Sequence, residues 1–482
     1  MTTAAAPRIN PKVAVSVVYV AGMFMNILDT TIVNVAVPAI AEEFSTEPSS
    51  VAAIAVAYLV ALAVFIPVAG WLGDRFGDKR VLLFALALFT VASALCGIAE
   101  SLPQLVAYRV LQGAGGGLMM PGGMAMLMRV FPPAERVRAS RILVVPTAVA
   151  PALGPIVGGA LVTSFSWHWV FLLNVPVGTA AVLFGLFFLR EAREPTVGSF
   201  DLPGFLLAAS GLGLAMYALS EGSRLGWSSP EIIGTGVTGV VLLALLVVVE
   251  HRSSSPLIDL DVFADRLFRN ASLAITFAIA GFLGAMYVIA IQLQQGDGRS
   301  ALYSGLATFP TAVGVMVASQ FASRLYPTVG PRRILMAGIG LVSLMLFGLA
   351  LIGPGSAIWE VQITMFVLGV GMAHVFIPSQ TAAFAAIDKA ATANASTLYN
   401  VQRQIGSAVG VAVLASVLAW VGTPVPGSGV EPDFSAYHWA FVAAGVMALG
   451  GVLFAARIVD ADAASTMVRR GTTREEPAVV GD

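Results

Sequence analysis

An acidic side chain stands in the middle of the first apolar stretch of this chain. Val13 to Ala39 is compatible with hydrocarbon, and Asp29 lies 16 residues into it. A carboxylate at that depth is costly in a bilayer and marks a functional position. On a helix, Asn26, Asp29, Thr30 and Asn34 share one stripe, while Ile27, Leu28, Ile32 and Val35 fall mostly elsewhere. One face of this helix is therefore wet or hydrogen-bonded. The chemistry such a group offers is reversible protonation. Low-dielectric surroundings favour the neutral acid and a nearby guanidinium favours the carboxylate, so a cation that approaches and withdraws can unload and load a proton. The alternative role is a hydrogen-bond clamp between helices.

The candidate cation is Arg109, in LVAYRVLQGAGGG (Leu105–Gly117). Arg109 and Gln112 are spaced i, i+3, and Gly113 and Gly117 i, i+4, so one helix carries a polar patch beside a smooth glycine face. A snorkelling arginine is the competing reading, and Gln112, which continues the polar face inward, weighs against it. Late in the chain Asn400, Arg403, Gln404 and Ser407 also share one helix face, and Arg403 needs an acceptor or an anionic ligand. Candidate cavity liners are Tyr58, Phe282, Met286, Tyr287, Gln292 and His374, with ordinary core packing the competing role for each. Glu221 reads as an outer-interface residue rather than a second proton site.

These residues need a membrane fold to position them. The 482 residues are 57% hydrophobic and 11% charged, against about 25% charged in soluble domains. The net charge of −1 gives no sign of a nucleic-acid partner, and a single cysteine, Cys96, rules out an internal disulfide and a cysteine-built metal site. Runs of about 20 apolar residues predict fourteen spans at 13–39, 51–73, 81–99, 104–128, 139–163, 168–189, 202–221, 231–250, 271–294, 302–325, 332–352, 358–384, 397–421 and 437–457. With both ends cytoplasmic, 22 of the 26 Lys and Arg residues fall on inner loops or tails, as the positive-inside rule requires. Arg224 and Arg299 fall outside, and Arg109 and Arg403 lie within spans. Six of the seven tryptophans land at the predicted outer interface. The first run is too long for a signal peptide and lacks a cleavage site, so it reads as retained.

GDKR (Gly77–Arg80) after the second span is echoed by GPRR (Gly330–Arg333) after the tenth. Setting aside the pair at 202–250, each sits at the same place in a six-helix half, which suggests repeats flanking a midplane site. The expected organisation is a cytoplasmic segment 1–12, a bundle at 13–189, two additional helices at 202–250, a second bundle at 271–457 and a cytoplasmic tail at 458–482.

The loop GWLGDRFGDKR contains Gly70, Gly73, Asp74, Arg75, Gly77, Lys79 and Arg80, with Asp74 placed to accept from backbone amides or pair with a base. ALGPIVGGAL (Ala152–Leu161) carries Gly154, Pro155, Gly158 and Gly159, a small-residue face with a helix kink. Together with LDTTIVNVAVP (Leu28–Pro38), RVLQGAG (Arg109–Gly115) and WHWVFLLNVPVG (Trp167–Gly178), these blocks resemble the major facilitator superfamily, specifically its fourteen-spanner drug:proton antiporters. The likeness covers nearly the whole chain, with Asp78 where a basic residue is usual, Ala150 for the first glycine of the antiporter motif and His168 for an arginine. It implies an all-α membrane fold of two six-helix bundles plus two central helices, and alternating-access efflux of drugs, dyes or antibiotics driven by protons. Asp29 and Arg109 would couple, with no cofactor beyond the proton gradient, and a monomer in the plasma membrane would have small molecules, protons and lipids as partners. Export of a lipid or an endogenous metabolite is the alternative on the same scaffold. A non-transporting sensor would carry a sizeable soluble domain, which the spacing of spans leaves no room for. No HExxH, GxSxG or GxxxxGKS/T occurs, so neither an enzyme nor an ATP-driven pump is expected.

Overall fold

A computed structural model describes residues 9–46, 51, 53–191, 200–253, 256–353, 356–388, 391–421 and 434–467. Among them every regular element is helical. We number the α-helices α1 (Pro11–Glu43), α2 (Ala53–Phe65), α3 (Val68–Phe76), α4 (Asp78–Cys96), α5 (Leu102–Val130), α6 (Arg136–Ser164), α7 (His168–Leu172), α8 (Asn174–Phe188), α9 (Leu202–Leu225) and α10 (Pro230–Glu250). The second part comprises α11 (Arg266–Ile291), α12 (Ala301–Thr308), α13 (Pro310–Val329), α14 (Pro331–Leu349), α15 (Ile358–Ala383), α16 (Thr392–Val421) and α17 (Ser435–Ala455). Helix starts follow local rules. Asn10 caps α1 by accepting from the Lys12 amide, with Pro11 in the first turn, and Asp201, Ser229 and Asp265 cap α9, α10 and α11 in the same way.

Each predicted apolar run coincides with a helix or a broken pair. Eleven described spans are long and apolar enough to cross a membrane, and α2 with α3, bent by 54°, makes a twelfth. The run at α5 does not reach that apolarity, and in α6 the apolar stretch among the described residues is the shorter Val149–Ser164. Glycine-rich α5 is buried on every side from Gln112 to Met128, so protein rather than lipid surrounds it and small residues serve it better than leucine. The segments 1–8 and 468–482 of the expected cytoplasmic ends lie outside the described residues.

The same five pairings recur in the two parts of the chain. In the first, α1 packs on α6 and α8, α5 on α2 and α4, and α4 on α8. In the second, α11 packs on α16 and α17, α15 on α13 and α14, and α14 on α17. The α9–α10 pair packs on itself and reaches α2 and α16. Glycines set the closest approaches: a Cβ on Gly113 would stand 2.4 Å from the Tyr58 carbonyl oxygen, and one on Gly314 would stand 2.1 Å from that of Phe366. Gly113→Ala is therefore expected to destabilise the purified protein by about 1–3 kcal/mol through forced separation of α2 and α5. Gly122→Ala on the same helix meets nothing within 4 Å and is expected to stay within about 0.5 kcal/mol of wild type. Thermal midpoints in detergent compare the two, and equal shifts would refute the packing account.

The sequence echo has a structural counterpart. Gly77 and Gly330 both turn the chain with positive φ, +99° and +91°, conformations that glycine adopts without penalty. Glu191 closes on the first turn, accepting from the Lys79 amide at 3.0 Å, and Asp460 closes on the second, accepting from the Arg332 amide at 2.9 Å. Each carboxylate follows the last helix of its own part of the chain.

Candidate functional site

Six helices of the first part converge on Asp29. The residue has 0% exposure and Arg109 has 1%. Asp29 Oδ2 accepts from Arg109 Nη1 at 2.5 Å, and Oδ1 accepts from Gln112 Nε2 at 2.9 Å and from Asn174 Nδ2 at 3.3 Å. Arg109 Nη1 also donates to Gln112 Oε1 at 2.6 Å, and its Nε donates to the Ile54 carbonyl at 3.2 Å. Its guanidinium lies 4.1 Å from the centre of the Tyr58 ring, a cation–π contact in a dry site. Ser93 Oγ joins the network by donating to the Phe171 carbonyl at 2.9 Å and accepting from Gln112 and Asn174, each at 3.1 Å. That uses the donor and both acceptor positions of the hydroxyl.

The network is built by backbone choices already present in the sequence. The i, i+3 spacing puts Arg109 and Gln112 on one side of α5, facing α1 and α4. Beside Asp29, Gly154 and Gly158 let α6 settle onto α1: a Cβ on Gly154 would lie 2.2 Å from Thr31 Oγ1, and one on Gly158 would lie 2.9 Å from Ile32 Cγ1. Gly159 meets nothing within 4 Å. The side chains of Asn34 and Pro155 lie outside those described. A buried ion pair of this kind is weak evidence for stability, because desolvation offsets most of the attraction. Chemically, the arrangement sets a single carboxylate against a single guanidinium in a site closed to solvent.

Other sequence-derived candidates fall elsewhere. Among the described residues Asn26 Nδ2 and the Tyr58 hydroxyl are buried without hydrogen-bond partners, and both neighbour Gly116. Thr30 turns to its own helix, donating to the Ile27 carbonyl at 2.6 Å. His374 Nδ1 lies 2.8 Å from the Val370 carbonyl in its own helix, α15. Phe282 and Met286 pack on the core, Tyr287 is exposed, and Gln292 donates to the Ile352 carbonyl at 3.2 Å. Glu221 pairs with Arg224 one helical turn on. Asn400 is buried and donates to the Ser396 carbonyl at 2.8 Å, and Gln404 is half-buried. Arg403 lines a small cleft between the two parts of the chain. Trp167 is buried and donates to Glu43 at 2.6 Å, tying the end of α1 to the start of α7.

A second charged cluster closes the end of the molecule that carries the basic loop. Arg129 donates to Asp74 at 2.8 Å and to Asp78 at 2.6 Å. The acidic Asp78 thus supplies a second acceptor for one fork-shaped guanidinium. Lys79 donates from Nζ to the Leu186 carbonyl at 2.8 Å, Arg80 lies 3.6 Å from Glu191, and Arg75 is exposed. A Cβ on Gly73 would lie 2.8 Å from Asp78 Oδ1, and one on Gly70 would lie 3.1 Å from Thr397 Oγ1, so this loop also touches α16 across the molecule. Near it Thr381 donates to Ser140 and Arg141 to Gln320, each at 3.1 Å, bridging the two parts of the chain.

Residues 19–411 match the sequence profile of the Major Facilitator Superfamily. The chain belongs to that superfamily. This major facilitator protein is 32% identical over 444 residues to "Putative multidrug resistance protein MdtD" of Salmonella paratyphi B, an alignment covering 90% of the chain and 92% of the relative. The protein of the same name from Salmonella typhimurium matches to the same extent. Two solved structures share the fold: the human organic anion transporter MFSD10 (TETRAN), with TM-score 0.66 at 16% identity over 93% of this chain and 100% of that one, and the proton:xylose symporter XylE bound to 6-bromo-6-deoxy-D-glucose, with TM-score 0.61 at 13% identity over 92% and 95%. The protein is therefore a multi-pass membrane transporter.

Sequence reasoning did not single out Ser93 or Arg129. Asn174 stood in a quoted motif without an assigned role, and Arg129 was one of many inner-side bases. A lone serine in an apolar helix such as Ser93 carries no signal of its own.

Arg129→Gln is expected to loosen the basic end, because it leaves two facing carboxylates without their shared cation. Cys96 is the single cysteine and is buried, so a Thr397→Cys reporter can be read without removing it. Labelling of that reporter by a water-soluble maleimide is expected to rise several-fold when Arg129 is replaced. Unchanged labelling would show that the cluster does not hold this end closed.

Proposed function

We propose that the protein exports amphipathic or hydrophobic small molecules, such as drugs, dyes or antibiotics, across the plasma membrane in exchange for protons. The observation that carries this reading is the sealed Asp29–Arg109 pair with Gln112 and Asn174 around it. A single carboxylate with one movable counter-charge is the minimum needed to couple a proton to a conformational change. The name of the MdtD relatives points the same way on substrate.

In this scheme the chain crosses the membrane fourteen times with both termini cytoplasmic. The bundles at 13–189 and 271–457 rock about the central cleft, while the helices at 202–250 lie between the halves, α9 packing on α2 of one and α16 of the other. Separation of α1 from α5 in one state would withdraw Arg109 and let Asp29 take a proton from outside. Return of Arg109 would expel the proton inward. The protein needs no cofactor for this cycle and works as a monomer.

A drug and dye susceptibility panel on cells expressing wild type or Asp29→Asn tests the proposal. Resistance to several unrelated compounds, lost in the variant, is the expected result. Resistance to none would replace drug efflux by lipid or metabolite export on the same scaffold.

A further inference from the structure

The two bundles are joined differently on their two sides. On one, α9 packs on α2 of the first bundle and α16 of the second, so an additional helix covers the join. On the other, α6 meets α13 directly. Arg141 of α6 donates to Gln320 of α13 at 3.1 Å, which fixes the register of the two helices. About one turn nearer the basic end stand Arg138 on α6 and Arg324 on α13, both exposed. Their spacings of i−3 and i+4 put them on the same faces as the Arg141–Gln320 bridge. None of the ion pairs among the described residues includes Arg138, Arg141 or Arg324. Other bases at this end do have carboxylates: Lys12 pairs with Glu135, Arg80 with Glu191, Arg129 with Asp74 and Asp78, and Arg266 with Asp462. The positive-inside rule accounts for bases at this end, but not for their gathering on both sides of one join with no acidic partner. Beside them Val317, Phe321 and Leu325 form an exposed apolar strip on α13. A guanidinium donates and never accepts, and its planar fork matches a phosphate.

We propose that the α6–α13 join binds the phosphate headgroup of an acidic phospholipid, with Arg138 and Arg324 as its charge partners and Arg141 behind them. The acyl chains lie along Val317, Phe321 and Leu325. Basic sites between helices at a membrane surface suit such headgroups. A headgroup held by both helices ties one bundle to the other and keeps the basic end closed. The site is separate from the Asp29 pair and from the central cleft. It needs only a chain that spans a membrane, whatever substrate is moved.

The probes are phosphatidylglycerol and phosphatidylcholine with the same acyl chains, titrated onto the full-length protein in detergent, with bound lipid counted by native mass spectrometry. Wild type is expected to hold its first phosphatidylglycerol at least about tenfold more tightly than phosphatidylcholine. Arg138→Gln/Arg324→Gln is expected to lose that preference, and Arg138→Lys/Arg324→Lys to keep most of it. Arg332→Gln/Arg333→Gln removes the same charge from two exposed bases at the same end and is expected to leave the preference unchanged. Arg138 and Arg324 have no ion-pair partner to lose, so their glutamine variant is expected to fold, and its thermal midpoint checks this; should it unfold, the two single substitutions each show part of the loss. Equal retention by wild type and the Arg138/Arg324 glutamine variant, or equal losses in both glutamine variants, would overturn the proposal. Displacement of the lipid by inorganic phosphate would overturn it too and assign the site to a soluble anion. For the clamp, phosphatidylglycerol is expected to slow maleimide labelling of the Thr397→Cys reporter several-fold, and not when Arg138 and Arg324 are glutamine. The same labelling rate with and without the lipid would remove the clamp. Because the first readout is equilibrium binding, failure of drug efflux would sink the transport reading and leave this result standing.

Discussion

Proteoliposomes carrying Asp29→Asn are expected to equilibrate substrate under conditions in which wild type accumulates it. One proton crossing 100 mV is worth about 2.3 kcal/mol, enough to sustain roughly a 50-fold gradient of a neutral substrate at one proton per molecule. Asparagine nearly preserves the shape of the aspartate and its one oxygen can still accept from Arg109, but it leaves a buried guanidinium without its anion, so some loss of stability accompanies the loss of coupling. What it cannot do is change charge. Substrate-for-substrate exchange, which needs no net proton movement, is expected to persist in the variant and separates lost coupling from general damage. Full pH-driven accumulation by Asp29→Asn would remove Asp29 from the proton path.

The second large effect is expected from the other side of the pair. Arg109→Gln leaves Asp29 buried without its cation, an arrangement that costs about 3–5 kcal/mol when the remaining group stays charged. Asp29 can avoid that cost by holding a proton, which would trap the transporter in its loaded form. Two readouts follow. The thermal midpoint of Arg109→Gln should fall at high pH, and the Asp29→Asn/Arg109→Gln double variant should recover part of the loss, because the uncompensated charge is gone. Infrared difference spectra should show a protonated carboxyl band at neutral pH in Arg109→Gln and none in the double variant. Strictly additive destabilisation would mean that the two residues do not form an energetic unit.

Much of the architecture was legible in order along the chain. Apolar runs gave the helices, because hydrocarbon tolerates no unsatisfied backbone and each crossing must be a helix of known length. The Arg109–Gln112 spacing placed both side chains on one face of α5, and the Gly77 and Gly330 turns announced two related parts. Hydropathy read α5 less well, since a helix wrapped in protein is selected for close packing rather than for solubility in lipid. The stripe Asn26–Asp29–Thr30–Asn34 showed the same limit. It correctly marked a polar face, but the groups that bond Asp29 are Gln112 and Asn174 on other helices, while Thr30 bonds back to its own carbonyl.

Sequence by itself determined that this chain is a helical membrane protein with a carboxylate and a guanidinium placed within its spans, since bilayer thickness and helix periodicity act on local residues. Only the tertiary structure decided which charges meet. Asp29 and Arg109 stand 80 positions apart, and Arg129 reaches Asp74 and Asp78 across 55 and 51. Arg403, equally buried from its sequence context, meets no carboxylate at all among the described residues. Pairing is a property of how bundles fold onto one another, and no local pattern encodes the partner of a charge that must cross a helix interface to find it.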